Sequence, residues 1–432
     1  MSDATALMLA ILAGRIADAA GARVQLEVAI GLEVDPLDHA AHQFGLSNAE
    51  VMARAADWAG LAFAETIPRL VDGSTQIRRL DAMSEVRALR ARLLGREVVF
   101  AAPRFAQFLA LKAHADGDPS FRRRLCVVPP DAIRANLARA SEVLLLDAAR
   151  HRLSQRWPSA SGHRDLVPLR RALFVMAILV VVGLAALSPF VLRPVLVPLV
   201  SVVLITPAAL RLWAALSPPP ADPTPPPLAD PELPVYSVLI PLRDEAHMVD
   251  QLAAAMRAID YPAAKLDIKF VVEARSPQTL DAVRRMLDDP RFELVVVPEA
   301  LPSTKPKALN YALPLVRGEY LVIYDAEDIP DPGQLRLAAG RFGAQPEIDC
   351  LQAELVIDNA GENALTALFA GEYAGQFGLM LPLLARLRLP MPLGGTSNHF
   401  RVAALREVGG WDAYNVTEDA DLGVRLSRLR VQ

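Results

Sequence analysis

Residues 172–192, ALFVMAILVVVGLAALSPFVL, carry no charge. A helix of that composition shows apolar side chains on every face, so it must lie in a bilayer or deep inside a protein core. About twenty apolar residues cross the hydrocarbon layer. The run therefore predicts a transmembrane helix. A second apolar stretch, VLVPLVSVVLITPAAL over 195–210, continues through Arg211 into LWAAL. Together they predict a hairpin over 171–216, with Ser188–Pro189 and Arg193–Pro194 near its turn. A hydrophobic fraction of 53% and a mean hydropathy of +0.26 agree with membrane contact. The competing reading, a helical hairpin buried in a soluble protein, is disfavoured by the length of the uncharged run.

Flanking charge sets the expected orientation. Arg164, Arg170 and Arg171 precede the first run and Arg211 lies at the far end of the second, whereas the turn holds only Arg193. Positive charge stays in the cytoplasm. A multi-pass protein of the inner (plasma) membrane is expected, with both large domains cytoplasmic. No cleavable signal peptide opens the chain, because Asp3, Arg15 and Asp18 interrupt the Ala-rich start. The segment 217–234, SPPPADPTPPPLADPELP, is too rich in proline for helix or central strand and reads as a stiff linker. Net charge is −4, so nucleic acid is not an expected partner. Cys126 and Cys350 lack metal-like spacing and do not make a disulfide framework, which points to a reducing compartment.

Four parts follow: an N-terminal region over 1–170, the hairpin over 171–216, the linker over 217–234 and a C-terminal domain over 235–432. In the last, strand-like and helical runs alternate. VYSVLIPL (235–242), IKFVVEA (268–274), FELVVV (292–297) and YLVIY (320–324) are the strands. The helical stretches between them include SPQTLDAVRRML, with Ser276 placed to cap and Pro277 first in the helix, and KPKALNYALPLV. This is an α/β pattern with a mostly parallel sheet covered on both faces. Ligands of such sheets bind outside the carboxyl ends of the strands.

The fourth strand ends in three acids, Asp325, Glu327 and Asp328. If the chain stays extended, residues two apart point the same way, so Asp325 and Glu327 would offer hard oxygens to Mg²⁺ or Mn²⁺. The other reading is that they cap a helix starting near Pro332. Lys305 and Lys307 fall in the first turn of a helix, where cations oppose the dipole unless an anion such as a diphosphate compensates; a solvated surface is the alternative. GGTSNHFR (394–401), with Gly395 and Thr396, is a Gly-rich polar segment that lets backbone approach a ligand. His399 has no second histidine at ligand spacing and suits a structural role. Thr417, Glu418 and Asp419 precede a helix, and their plain reading is an N-cap with acids in the first turn.

The order and content of LIPLRDE, IKFVVEARS, TKPKALNYAL, YDAED, GGTSNHFR and GGWDAYNVTEDADLG resemble the family 2 inverting glycosyltransferases, most of all the membrane-embedded branch of cellulose synthases and bacterial polysaccharide synthases. The resemblance covers about residues 234–429. It implies a GT-A (Rossmann-like) fold binding a nucleotide-diphosphate sugar, for which a UDP-sugar is expected, and transfer to a growing polysaccharide or other glycan acceptor. It assigns the divalent metal to Asp325 and Glu327, with Asp328 adjacent. Asp419 of the Thr417–Glu418–Asp419 motif becomes the general base, on the acceptor side with Gly395 and Thr396. Lys305, and with it Lys307, would contact the diphosphate, and Pro241, Arg243 and Glu245 the nucleoside. Relatives carry paired aspartates after the second strand; here Glu273 stands in that region, followed by Ala274, Arg275 and Ser276.

Processive members of that branch also carry a Gln-x-x-Arg-Trp segment and further membrane spans after the Asp419 helix. The sequence stops at Gln432, and a fragment is expected. The N-terminal region, a mainly helical α+β domain by its pattern, weakly resembles the N-terminal domain of type II secretion ATPases through AEVMARAADWAGLAF and LCVVPPDAIRANLARA. That resemblance implies a docking or regulatory module for a protein partner or, in some relatives, a cyclic dinucleotide. Two other functions remain open on sequence alone: a catalytically silent nucleotide-sugar-binding scaffold, and a nucleotidyltransferase.

Overall fold

The computed structural model describes residues 1–68, 79–93, 95–163, 168–187, 193–217 and 225–429. Arg164, the Ser188–Pro189 step of the expected turn and residues 218–224 of the linker lie outside these.

Helix ends in the N-terminal domain follow local chemistry. Asp35 accepts the Leu37 N–H at the start of Pro36–Phe44, which stops at Gly45 with φ 60°. Ser47 and Glu50 form a reciprocal capping box on Asn48–Ala59, which ends at Gly60. Strands β1 (Ala62–Phe63), β2 (Ala88–Leu93), β3 (Arg96–Ala101) and β4 (Leu125–Val127) form a sheet ordered β1-β4-β3-β2. Leu7, Met8, Ile11, Ala55 and Phe108 close one core beside it.

The second sheet has six strands in the order β7-β6-β5-β8-β10-β9, where β5 is Tyr236–Leu242, β6 Leu266–Glu273, β7 Phe292–Val297, β8 Tyr320–Ile323, β9 Cys350–Gln352 and β10 Asn398–Arg401. The first four are parallel, and β10 runs antiparallel to both neighbours. Every residue of β6 is buried, as a strand covered on both faces requires. Chain order runs outward from β5 to β7 and then crosses back to place β8 on the other side of β5. The crevice at the carboxyl ends of β5 and β8 is therefore the topological switch point, where such sheets take ligands.

Two strands escaped the sequence pattern, β9 and β10. The second of these holds Asn398, His399 and Arg401, and its polar content reads as loop. It is nonetheless a central strand: its backbone pairs on both sides, and the buried His399 bonds through Nδ1 to the Tyr236 hydroxyl at 2.7 Å. Burial pulls the His399 imidazole down to about 3, so it is neutral.

The N-terminal domain docks on this second domain. Arg134 makes paired hydrogen bonds to Glu293 on β7, which also binds the fully buried Lys269; Lys269 and Arg317 in turn hold Asp267. The helix Glu142–Arg156 places Leu145 and Ala149 in the same core as Leu309, Ala312 and Trp411. A cavity of about 880 Å³ lies between the domains, lined by Asp38 and His42 on one side and Asp267, Glu293 and Arg317 on the other.

The apolar region forms helices Pro168–Leu187 and Arg193–Leu216. Among the described residues, one stretch, Val197–Leu216, is long and apolar enough to cross a membrane; the described apolar part of the other helix, Arg171–Ala186, is shorter. The described residues thus bear out one of the two expected spans by length, and the expected turn lies outside them. Large side chains on both helices are exposed, Val180 at 54% and Leu204 at 69% among them. Pro207 lies inside the second helix, and the Thr206 hydroxyl donates back to the Val202 carbonyl one turn earlier.

Candidate active site

A cleft of about 300 Å³ opens at the switch point. Pro241, Arg243, Glu245, Glu273, Lys305, Asp325 and Glu327 line it, with Thr304 and Ala308. Strand ends deliver most of these: Pro241 lies in β5, Glu273 closes β6, and Asp325 follows β8. Arg243 and Glu245 sit on a tight loop after β5, where Asp244 takes φ 60° and accepts the Ser276 hydroxyl. Glu245 turns back to the Arg243 N–H, and its own N–H donates to Thr279. Ser276 and Thr417 occupy the helix-start positions expected of them but spend their hydroxyls elsewhere, on Asp244 and Asn415.

The acids after β8 do not stay extended. The Asp328 N–H donates to the Asp325 carbonyl, closing a turn, so the every-second-residue argument does not apply to Asp325 and Glu327. The turn still delivers both to the cleft. They do not cap the next helix, which begins at Gln334; Asp331 takes the Gly333 N–H there. Asp328 is not part of the cleft lining. Its carboxylate accepts the Asp325 N–H and the Thr396 hydroxyl, which fixes the turn against the 394–397 segment.

The two lysines differ in burial: Lys305 is partly exposed in the cleft and Lys307 is closed off. Lys305 Nζ lies 2.6 Å from Asp325 Oδ1 and donates to the Gly395 carbonyl. Lys307 is fully buried beneath the cleft, paired with Glu273 at 3.1 Å and bonded to the Ala300 carbonyl. It supports Glu273 and does not line the cleft.

Asp419 stands at the start of the helix Glu418–Arg428, beside Gly395. A Cβ on Gly395 would come within 3.7 Å of its carboxylate, and one on Gly423 would collide with the Met391 carbonyl, so the 391–395 chain presses closely on this helix. Burial pushes the Asp419 carboxyl up to about 7; Lys305 opposes the shift, while Glu418 and Asp325 add to it. Burial also raises Asp325, against Lys305 and with Glu327. Glu245 and Glu418 are raised for the same first reason. Carboxyl groups thus crowd around Lys305, an excess of negative charge that a bound cation would relieve. Among the described residues no three carboxylates, imidazoles or thiols converge into a preformed cage. A divalent ion here would take Asp325 and Glu327 and complete its shell with phosphate and water oxygens, as Mg²⁺ commonly does.

Residues 233–431 match the family described as glycosyltransferase like family 2. Among curated proteins, a glucomannan 4-beta-mannosyltransferase of Arabidopsis thaliana is 25% identical over 201 residues, 45% of this chain and 36% of the relative. A beta-monoglucosyldiacylglycerol synthase of Trichormus variabilis is 26% identical over 196 residues, 45% of this chain and 41% of the relative. The chain spans less than half the length of these relatives. A solved mannosyltransferase from Pyrobaculum calidifontis, in complex with GDP-Man and Mn²⁺, superposes with a TM-score of 0.39 at 24% identity, covering 49% of this chain and 56% of that one.

Proposed function

Since residues 233–431 are a family 2 glycosyltransferase domain, we propose that the protein is a membrane-bound inverting transferase, passing a sugar from a nucleotide-diphosphate sugar to a glycan acceptor. The observation that carries this reading is the charge arrangement at the switch point. Acids and one lysine line a cleft at the strand ends, and a half-buried carboxyl beside it, Asp419, is held near neutrality.

In this reading Arg243 and Glu245 hold the nucleoside side and Glu273, braced by Lys307, closes the floor. Asp325 and Glu327 would hold Mg²⁺ or Mn²⁺, and that ion would supply charge neutralisation for a departing diphosphate. Lys305 exchanges its Asp325 partner for a phosphate oxygen. Asp419 takes the proton from the acceptor hydroxyl on the face opposite the leaving group, so the anomer inverts without a covalent intermediate. Its raised pKa suits that work, because a base that titrates near the working pH is deprotonated in a large share of molecules and still strong enough to accept a proton. In the same reading the protein works at a lipid bilayer, with its large domains on the cytoplasmic side; the apolar helix Val197–Leu216 and the exposed apolar helix Pro168–Leu187 support it.

The test is a donor panel of UDP-glucose, UDP-N-acetylglucosamine and GDP-mannose with Mn²⁺, Mg²⁺ or EDTA. Metal-dependent release of nucleoside diphosphate from at least one donor is expected. Calorimetric donor binding with no turnover in an intact chain would replace catalysis with silent binding.

A further inference from the structure

The segment 408–414, which leads into the Asp419 helix, is held from three sides. From the helix itself, Arg425 donates to the carbonyls of Val408 and Gly410 at 3.1 and 2.6 Å. From the helix Lys305–Ala312, Asn310 accepts the Trp411 N–H at 3.0 Å and donates to the Trp411 carbonyl at 2.7 Å. Gly410, at φ 71°, makes room for that amide: a Cβ there would collide with Asn310 Oδ1. Thr304 adds a bond to the Ala413 carbonyl.

The third side is the N-terminal domain. The second Asn310 amide hydrogen goes to the Ala149 carbonyl, on the helix Glu142–Arg156. Leu153 of that helix meets Gly409, where an added Cβ would be 3.1 Å from its Cδ1. His151 bonds to the Tyr414 hydroxyl, and Ser161 and Gly162 donate to the buried Asp412 carboxylate. Trp411, in the middle of this segment, is fully buried and packs edge-on against Phe400 of β10. One N-terminal helix therefore braces both the element that begins with Lys305 and the loop that sets Asp419.

We propose that Asn310 is a positioning residue and that the helix Glu142–Arg156 is, through it, a working part of the transfer site, so that the docked N-terminal domain governs the rate of transfer. The inference rests on Asp419 being the base. It gives the N-terminal domain an intramolecular role, since its helix, held in place, keeps the 408–414 segment and the Lys305 helix in register. Movement of that helix would release the 408–414 segment and with it Asp419, whereas Lys305 keeps its own ties at the cleft to Asp325 and the Gly395 carbonyl. Whatever shifts the N-terminal domain would thereby switch transfer while leaving nucleotide binding intact.

The experiment compares full-length wild type, Asn310→Ala, Leu153→Ala and Asp419→Asn. UDP and GDP with Mn²⁺ are titrated by calorimetry to count competent donor sites, and turnover on the donor panel is expressed per such site. Asn310→Ala and Leu153→Ala are expected to lower kcat per binding site by roughly tenfold to a hundredfold, the scale of a displaced reacting group. Nucleotide Kd and donor KM should stay within about twofold of wild type. Unchanged turnover per binding site overturns the proposal, as does a parallel loss of sites and turnover, which would show a structural role only. If Asn310→Ala does not fold, Leu153→Ala, outside the transferase domain, decides alone. Asp419→Asn separates the two readings: retained transfer there removes the base assignment, whereas its loss beside active Leu153→Ala and Asn310→Ala removes the positioning role alone.

Discussion

At the scale of single residues the site is ruled by burial acting on charge. Asp419 shifts from 3.8 to about 7 because ionising it beside Glu418 and Asp325 in a half-closed site is unfavourable. The native state therefore binds more protons than the unfolded chain between about pH 4 and pH 7, and this group's contribution to stability declines as pH rises through that window. The rate should do the opposite, with kcat/KM climbing through pH 7 as the base deprotonates. Asp419→Asn is expected to lose transfer by on the order of 10²–10⁴-fold while still binding donor. It should also melt roughly a few degrees higher than wild type at pH 8, a gap that closes toward pH 4, as calorimetric scans at both values would show. Lys305 yields a second expectation. Its ammonium sits where a cation would meet Asp325, so Lys305→Met should bind free Mn²⁺ roughly several-fold tighter in nucleotide-free protein yet bind UDP more weakly; manganese and UDP titrations check both arms. The acid triplet and both lysines were visible in the sequence. Their division of labour was not, since one turn and two carbonyl oxygens decide that Lys305 faces the cleft and Lys307 lies beneath it.

At the scale of elements, periodicity found the four parallel strands β5 to β8 and missed β9 and β10. Tyr236–Leu242, Leu266–Glu273, Phe292–Val297 and Tyr320–Ile323 are runs of apolar residues, so their burial is written in their composition. β10 is not, because its polar side chains are satisfied only by partners distant in sequence, such as Tyr236. The helix Ala364–Gly375 is the reverse case. None of its residues is buried, and Leu365, Leu368 and Phe369 stand 62%, 69% and 52% exposed at helical spacing. Nearby, Arg211 pairs with Glu372, and Leu210 packs on Phe377, Leu381 and Leu384, where the apolar helix Val197–Leu216 ends. An exposed apolar patch of this kind marks a surface that meets a partner or a membrane, and at the proposed bilayer it would face the lipid. Replacing Leu365, Leu368 and Phe369 by Gln should leave the donor cleft intact but reduce quenching of a probe on this helix by brominated lipid; equal quenching would remove the helix from the membrane surface.

At the scale of the whole molecule, the two domains are joined through charge as well as apolar packing. Arg134 reaches Glu293 inside a cluster that holds Lys269, Asp267 and Arg317. Arg134 and Lys269 hold the Glu293 carboxyl down at about 2 against the opposing effect of burial. The stability this supplies is present above the ordinary pKa of 4.5 and is lost as pH falls toward 2. Arg134→Ala leaves a buried carboxylate short of its partner, a loss of about 3–5 kcal/mol by comparison with other broken buried pairs. Chemical denaturation should show that loss at pH 7 and little of it at pH 2.

The sequence by itself determined the α/β alternation, the apolar region near the middle, and the residue types of the cleft, because strand burial and strand-end ligands leave periodic, local signatures. Tertiary structure alone decided that β10 is a strand and that an N-terminal helix braces the loop before Asp419. Each of these depends on pairing between residues far apart in the sequence. A carbonyl such as that of Ala149 has no side-chain identity to read, so its bond to Asn310 exists only once the fold brings the two together.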